Sequence, residues 1–270
     1  MIEEFLILFI AGAFGGFLAG FLGVGGGIIY IVIIPEALRQ FMQPLEEELG
    51  ALVVANSFFA IFFSSLFASL THVKINTFYW RESLYVGIPA TVTALVFQTY
   101  LVNTPIYTYD LYNLMVIGIL MLVVAFTIYR AARPAKQSLN SKASWQSFSF
   151  AGIASGLVSI LTGLGGAVVL IPILRYLKNI DIKMVRSISI AMILMMSFCI
   201  TLINMTRETD CDECLGLINW NVTIPLILAT LLFSPLGVKI SHKISKKWIE
   251  ITFVVFLILV LTQKIWIYLR

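Results

Sequence analysis

The residues of this chain that could do chemistry are glycines and hydroxyls rather than acids, bases or metal ligands. Gly23-Val24-Gly25-Gly26-Gly27 packs four glycines into five positions, and Gly163-Leu164-Gly165-Gly166-Ala167 repeats the run 140 residues later. A glycine inside a helix costs about 1 kcal/mol relative to alanine, so such a run predicts a break between two half-helices. The broken ends expose backbone N–H groups at a positive dipole end, which suits a small oxyanion. Hydroxyls and amides that could join them are Asn56, Ser57 and Ser65 in the first half and Thr162, Ser187, Ser189 and Ser197 in the second. The predicted substrate-binding set is Gly25, Gly26, Gly27, Asn56, Ser57, Thr162, Gly165, Gly166, Ser187 and Ser189.

Other chemistry is sparsely represented. Cys199 sits in an apolar run and reads as a small core residue. Cys211 and Cys214 form a CxxC, but two ligands make no zinc site and no thioredoxin-like pattern surrounds them, so a loop or a local disulfide is expected. A membrane redox protein acting through these two thiols is the alternative from a different class. His72 and His242 read as polar anchors at helix ends, and Tyr79, Trp80, Trp145, Trp220, Trp248 and Trp266 as interfacial anchors. No nucleotide-binding loop or metal-ligand spacing is present. The chain is expected to be no enzyme, to need no cofactor, and to bind neither metal nor nucleic acid.

The elements that must position the glycines follow from composition. Of the 270 residues 60% are hydrophobic and 12% charged, too apolar for one soluble core. The charges divide the chain into uncharged runs at Phe5–Pro35, Leu49–Val73, Ser83–Tyr109, Leu111–Tyr129, Ala143–Leu174, Ser187–Thr206, Cys214–Val238 and Ile251–Gln263. Most exceed the ~20 residues a helix needs to cross a bilayer. A multi-pass protein of the cell (inner) membrane is expected, with lipid and a small anionic substrate as partners. The net charge of +4 then belongs to loops beside anionic lipid. Because no Asp, Glu, Lys or Arg lies in these runs, the substrate is expected to be held without a buried counter-ion.

Beyond the glycine runs, Ala11-Gly12-x-x-x-Gly16 matches Ala151-Gly152-x-x-x-Gly156 at the same offset, and Ser57 and Ser65 match Ser189 and Ser197 at 132. If all eight runs crossed once, Lys and Arg would divide equally between the two faces. If Ala143–Leu174 instead enters and returns, the segments 71–82, 130–142, 175–186 and 239–250 share one face and hold 14 of the 18 basic residues. That bias marks the face as cytoplasmic. Homology makes Phe5–Pro35 re-entrant too. The expected fold is an all-α polytopic membrane protein of two inverted repeats, each a glycine-broken re-entrant hairpin plus three transmembrane helices. The first repeat covers 1–129, with hairpin 5–35 and spans near 49–71, 83–103 and 111–130. A cytoplasmic linker follows at 130–142. The second repeat covers 143–270, with hairpin 145–174 and spans near 186–206, 217–238 and 250–268. Such repeats are a hallmark of secondary transporters, whose sites form where the halves meet.

The pattern Gly16-x-x-Ala19-Gly20-x-x-Gly23-Val24-Gly25-Gly26-Gly27, then Ala55-Asn56-Ser57 and His72-Val73-Lys74, resembles the sulfite exporter TauE/SafE family of membrane permeases. Gly156-x6-Gly163-Leu164-Gly165-Gly166 with Pro172-x-Leu174 repeats it in the second half. The chain departs from the family pattern at Val32 (with Pro35 nearby), at Ala167 and at Asn56. The resemblance implies transport of a small sulfur-containing anion such as sulfite, sulfoacetate or another organosulfonate, most often outward. Export of an anion from a negative interior is downhill by ~2.3 kcal/mol per charge per 100 mV, so it needs no coupling ion. Uptake of an anion coupled to H⁺ or Na⁺ is the alternative within the same class.

Overall fold

The structure is a computed structural model; it describes residues 2–269 except 43, 103, 105, 106, 132–143, 178, 179, 208–210 and 212. The linker expected at 130–142 therefore lies outside the described residues from 132 onward. The chain is helical nearly throughout. Its helices are α1 (Ile2–Leu22), α2 (Gly27–Phe41), α3 (Glu46–Lys74), α4 (Trp80–Phe97, ending in a π turn Gln98–Val102), α5 (Tyr109–Ala131), α6 (Trp145–Thr162), α7 (Ala167–Pro172, continued by a π turn Ile173–Leu177), α8 (Ile182–Met205), α9 (Trp220–Lys243) and α10 (Lys246–Leu269). Six of them, α1, α3, α5, α8, α9 and α10, are long and apolar enough to cross a membrane. At 29 residues α3 rises about 43 Å.

Three elements differ from the charge-based boundaries. Helix α2 runs through Pro35 to Phe41 rather than stopping at the proline; Pro35 lacks an N–H, so only the bond to Ile31 is lost. Helix α3 begins among Glu46-Glu47-Glu48, where acids favour a helix N-terminus. Before α9, β1 (Cys214–Leu215) pairs antiparallel with β2 (Ile218–Asn219) around Gly216, whose φ of 61° a two-residue turn needs.

Close glycine contacts fix how the helices run. A methyl group added to Gly12, Gly16 or Gly20 of α1 would sit 2.6, 2.8 or 2.1 Å from Leu226, Thr230 or Ser234 of α9. The partners advance together by four, so α1 and α9 are parallel, backbone against backbone in the small-residue manner of membrane helices. The same additions at Gly152 and Gly156 of α6 would meet Val86 and Ala90 of α4 at 2.3 and 2.2 Å. These are the same contacts with the halves exchanged at the 140-residue offset. Each half thus supplies the first helix of its hairpin to the second of the three helices that follow the hairpin in the other half.

Direct contacts also gather three of the basic segments, 71–82, 175–186 and 239–250, at one end. His72 faces His242 ring to ring at 5.6 Å, and Lys183 Nζ donates to the His242 carbonyl at 3.1 Å. Arg175 Nε meets Glu250 Oε1 at 2.6 Å, Lys246 pairs with Asp181, and Ser149 Oγ near the start of α6 donates to the Tyr85 carbonyl near the start of α4 at 3.2 Å. At the other end Arg39 lies 4.9 Å from the Tyr109 ring centre. Lys264 is buried there, donating to Asn113 Oδ1 at 3.2 Å and 5.4 Å from the Tyr112 ring centre.

Candidate functional site

Both glycine runs fold into the same left-handed turn. The φ angles of Gly23, Gly25 and Gly26 are 83°, 73° and 79°, and those of Gly163, Gly165 and Gly166 are 67°, 83° and 75°. Only glycine adopts this region at no steric cost. The fifth position of each run is already helical, which is why Ala167 can stand where the first run has Gly27. Each turn reverses the chain onto its own first helix: a methyl on Gly26 would meet the Gly15 carbonyl at 2.7 Å, and one on Gly166 the Ser155 carbonyl at 2.5 Å.

The two turns also touch each other. A methyl on Gly27 would lie 2.8 Å from the Leu164 carbonyl, and one on Gly165 3.6 Å from that of Val24. Helices α2 and α7 begin there, with Gly26 and Gly166 as N-caps and no side chain capping either. The N–H groups of Ile29 and Val169 bond back to Gly26 and Gly166, whereas those of Gly27, Ile28, Ala167 and Val168 find no acceptor among the described residues. Irregular backbone at this depth persists only where protein or a polar cavity satisfies it.

Each turn is met by the serine of the opposite half, but the two serines are used differently. Ser189 Oγ donates to the Gly23 carbonyl at 2.8 Å, and Ser64, which the sequence had not singled out, donates to that of Gly25 at 2.6 Å. Ser57 stands against the second turn, its Oγ 3.7 Å from where a Gly163 methyl would be, fully buried and without a partner among the described residues. The surroundings of the turns therefore include carbonyl acceptors held by serines as well as free donors.

The remaining candidates separate in the same way. Asn56 spends both amide protons on the Leu52 and Leu217 carbonyls, at 2.8 and 2.9 Å, and accepts from the Asn219 N–H at 2.9 Å, tying α3 to the β-hairpin. Thr162 Oγ1 donates to Val158 and accepts from the Leu164 N–H, so it caps the turn from within. Ser65 and Ser197 bond to carbonyls of their own helices. Ser187 is fully buried and unpartnered among the described residues.

Four polar groups beside the turns escaped the sequence reading. Tyr30, beside Gly15 and Gly26, is buried with its hydroxyl toward Ser64, and Ser155 and Ser159, beside Gly166, are buried with hydroxyls unpartnered among the described residues. Ser155 and Ser159 could have been found as a hydroxyl pair spaced by four just before the second turn. The fourth group, Arg186, corrects the expectation that no buried cation is available. It is 0% exposed, its Cβ would lie 2.9 Å from a methyl on Gly23, and its Nη1 donates to the Phe21 carbonyl at 2.6 Å. Its Nε and Nη2 have no partner among the described residues. In sequence it belongs with the basic segment 175–186, because the uncharged run begins one residue later. The second half places Arg186 where the first half, at the 132-residue offset, has Val54.

Elsewhere, a cavity of about 320 Å³ lies between α3, α4 and α8. Apart from Ser69 and Ser83 its walls, among them Leu66, Leu70, Trp80 and Leu194, are apolar, and none carries a charge to hold an anion. Cys211 and Cys214 are joined in a disulfide beside the β-hairpin. Among the described residues no group of three His, Cys, Asp or Glu side chains is placed to hold a metal ion.

Two comparisons with known proteins bear on the whole of this arrangement. The family model described as sulfite exporter TauE/SafE matches residues 7–263. A probable membrane transporter protein of Methanocaldococcus jannaschii is 28% identical over 254 residues, covering 92% of each chain.

Proposed function

The chain belongs to the sulfite exporter TauE/SafE family and is a multi-pass membrane transporter; from that premise we propose that it moves a small sulfur-containing oxyanion or organosulfonate outward across the cell membrane. The anion is held where the two glycine turns meet. The observation that carries this reading is the set of free donors along the two turns: the N–H groups at the starts of α2 and α7, the Ser57 hydroxyl beside Gly163, and the Arg186 guanidinium beside Gly23. A buried guanidinium with two unsatisfied N–H edges costs several kcal/mol unless an anion joins it. A sulfite or sulfonate group offers several acceptor oxygens to such a set, and a cation offers none.

The parallel pairing of α1 with α9 and of α6 with α4 supports an inverted relation between the halves, the arrangement used for alternating access. Three of the basic segments, 71–82, 175–186 and 239–250, meet at one end, which supports a cytoplasmic assignment for that end. Purified protein in liposomes tests the reading. Radiolabelled sulfite, sulfoacetate and thiosulfate are loaded inside, and efflux is followed at zero and at inside-negative potential. Efflux of at least one, accelerated by the negative interior, is expected. Accumulation from outside against that potential would instead identify a coupled uptake system. The redox alternative fails if a Cys211→Ser, Cys214→Ser double variant transports normally.

A further inference from the structure

Buried Ala68, Ile190 and Val238 pack together just beyond the first turn, and one helical turn nearer the basic end the same three helices carry His72, Arg186 and His242. His72 is 1% exposed, and its ring meets that of His242 edge to face. The Thr77 hydroxyl reaches the His72 carbonyl at 3.4 Å, so His72 Nδ1, 2.8 Å from Thr77 Oγ1, is assigned as the N–H donor. That tautomer leaves Nε2 as a bare lone pair, buried and without a partner, and His242 Nε2 is likewise unpartnered among the described residues. The charged side chains of α8 beside the pair are cations, Arg186 and Lys183, the latter donating to the His242 carbonyl at 3.1 Å, while Lys74 on α3 and Lys239 and Lys243 on α9 are exposed. The carboxylate at the start of α8, Asp181, is engaged by Lys246 and by the Lys183 N–H at 2.9 Å.

We propose that Arg186, His72 and His242 form one binding site that takes an oxyanion together with a proton. This deepens the transport reading and rests on it. With the site empty, a second positive charge beside Arg186 is opposed by like-charge repulsion and by burial. An oxyanion on the Nε and Nη2 edge of Arg186 reverses that balance. A proton from the aqueous phase then adds to His72 Nε2 or His242 Nε2, turning a bare acceptor into a donor to the anion. Nothing else is consumed: one proton leaves solution and remains on the imidazole pair until the anion departs. A dianion bound this way moves as a net monoanion.

The test is calorimetric titration of the purified full-length protein in lipid nanodiscs with thiosulfate, whose charge is constant through the neutral range. Titrations in two buffers of different ionisation enthalpy count protons taken up per anion. Uptake approaching one proton, with affinity falling up to about tenfold per pH unit on the alkaline side, is expected. A His72→Gln, His242→Gln variant should bind with no proton uptake and a flat pH profile, and Arg186→Gln should lose at least tenfold affinity at every pH. A variant that retains the wild-type proton count overturns the assignment to these histidines. The wild-type count needs no variant to fold: binding or flux without proton uptake overturns this proposal alone. Failure of wild type to bind or move any of sulfite, sulfoacetate or thiosulfate overturns the transport reading and this one with it.

Discussion

Two serines at equivalent positions of the repeat carry different burdens, and that difference is measurable. Ser57 has a free hydroxyl against the second turn, whereas the Ser189 proton is committed to the Gly23 carbonyl. Ser57→Ala is expected to weaken anion binding by about 1–3 kcal/mol, as for a hydrogen bond to a charged group, with thermal unfolding unchanged. Ser189→Ala leaves a buried carbonyl without its donor and should lower stability by about 1–3 kcal/mol in a thermal unfolding assay. Equal effects of the two changes on affinity would contradict this division. At this scale the sequence was informative about backbone and poor about side chains. Glycine at 23, 25, 26, 163, 165 and 166 announced a left-handed turn, because no other residue adopts it freely. Nothing in the sequence distinguishes Ser57 from Ser189, since each hydroxyl's use depends on the carbonyl that tertiary packing brings to it. Arg186 was hidden for a related reason. A charge at the start of a helix resembles a loop charge until the neighbouring turn is seen to cover it.

Among the elements, the contact between α1 and α9 depends on the absence of side chains. A methyl on Gly20 would lie 2.1 Å from the Ser234 carbonyl, backbone that cannot yield cheaply. Gly20→Val should therefore destabilise by about 1–3 kcal/mol or more, while a valine at Gly118, where nothing lies within 4 Å, should be close to neutral. Detergent melting curves of the two variants compare them directly. At the basic end Asp181 caps α8 and meets Lys246. Burial pushes its carboxyl up, but Lys246 and the Lys183 N–H outweigh that and hold it below the usual carboxylate value. A depressed value means stability that is present above the unfolded-state pKa of about 4 and is lost as pH falls through the folded one. The group is partly exposed, so Asp181→Asn should cost less than about 1 kcal/mol at pH 7 and nothing at strongly acid pH. Helix positions were legible from uncharged runs, because a bilayer-length helix must exclude charge. The end of α2 and the β-hairpin were not: Pro35 mimics a terminus, and a two-residue pair has no periodicity to read.

The whole molecule is organised by exchange between its halves, α1 packing on α9 as α6 packs on α4. The 140-residue repeat was visible in sequence, but the exchange was not, since similarity says which segments are alike and not which of them touch. The exchange makes sidedness testable. Single cysteines at Asn76 and Ser245, at the basic end, should resist a membrane-impermeant reagent applied to whole cells. A cysteine at Leu45, at the opposite end, should label. Labelling of 76 and 245 from outside would reverse the orientation, and labelling of only one of them would break the fold's single basic end.

The central claim is that the paired turns hold the transported anion, and flux through turn variants tests it most directly. Efflux of radiolabelled sulfite, sulfoacetate and thiosulfate is measured from liposomes containing wild type, Gly26→Val or Gly166→Val, each reconstituted at equal amounts of folded protein. Valine is excluded from φ near +79° and +75° and would also strike the Gly15 and Ser155 carbonyls. The account predicts efflux by wild type and its loss in both valine variants, while Gly118→Val in the same preparation transports normally. Wild-type efflux through folded Gly26→Val and Gly166→Val proteins would contradict it, leaving the turns as packing and the anion site elsewhere.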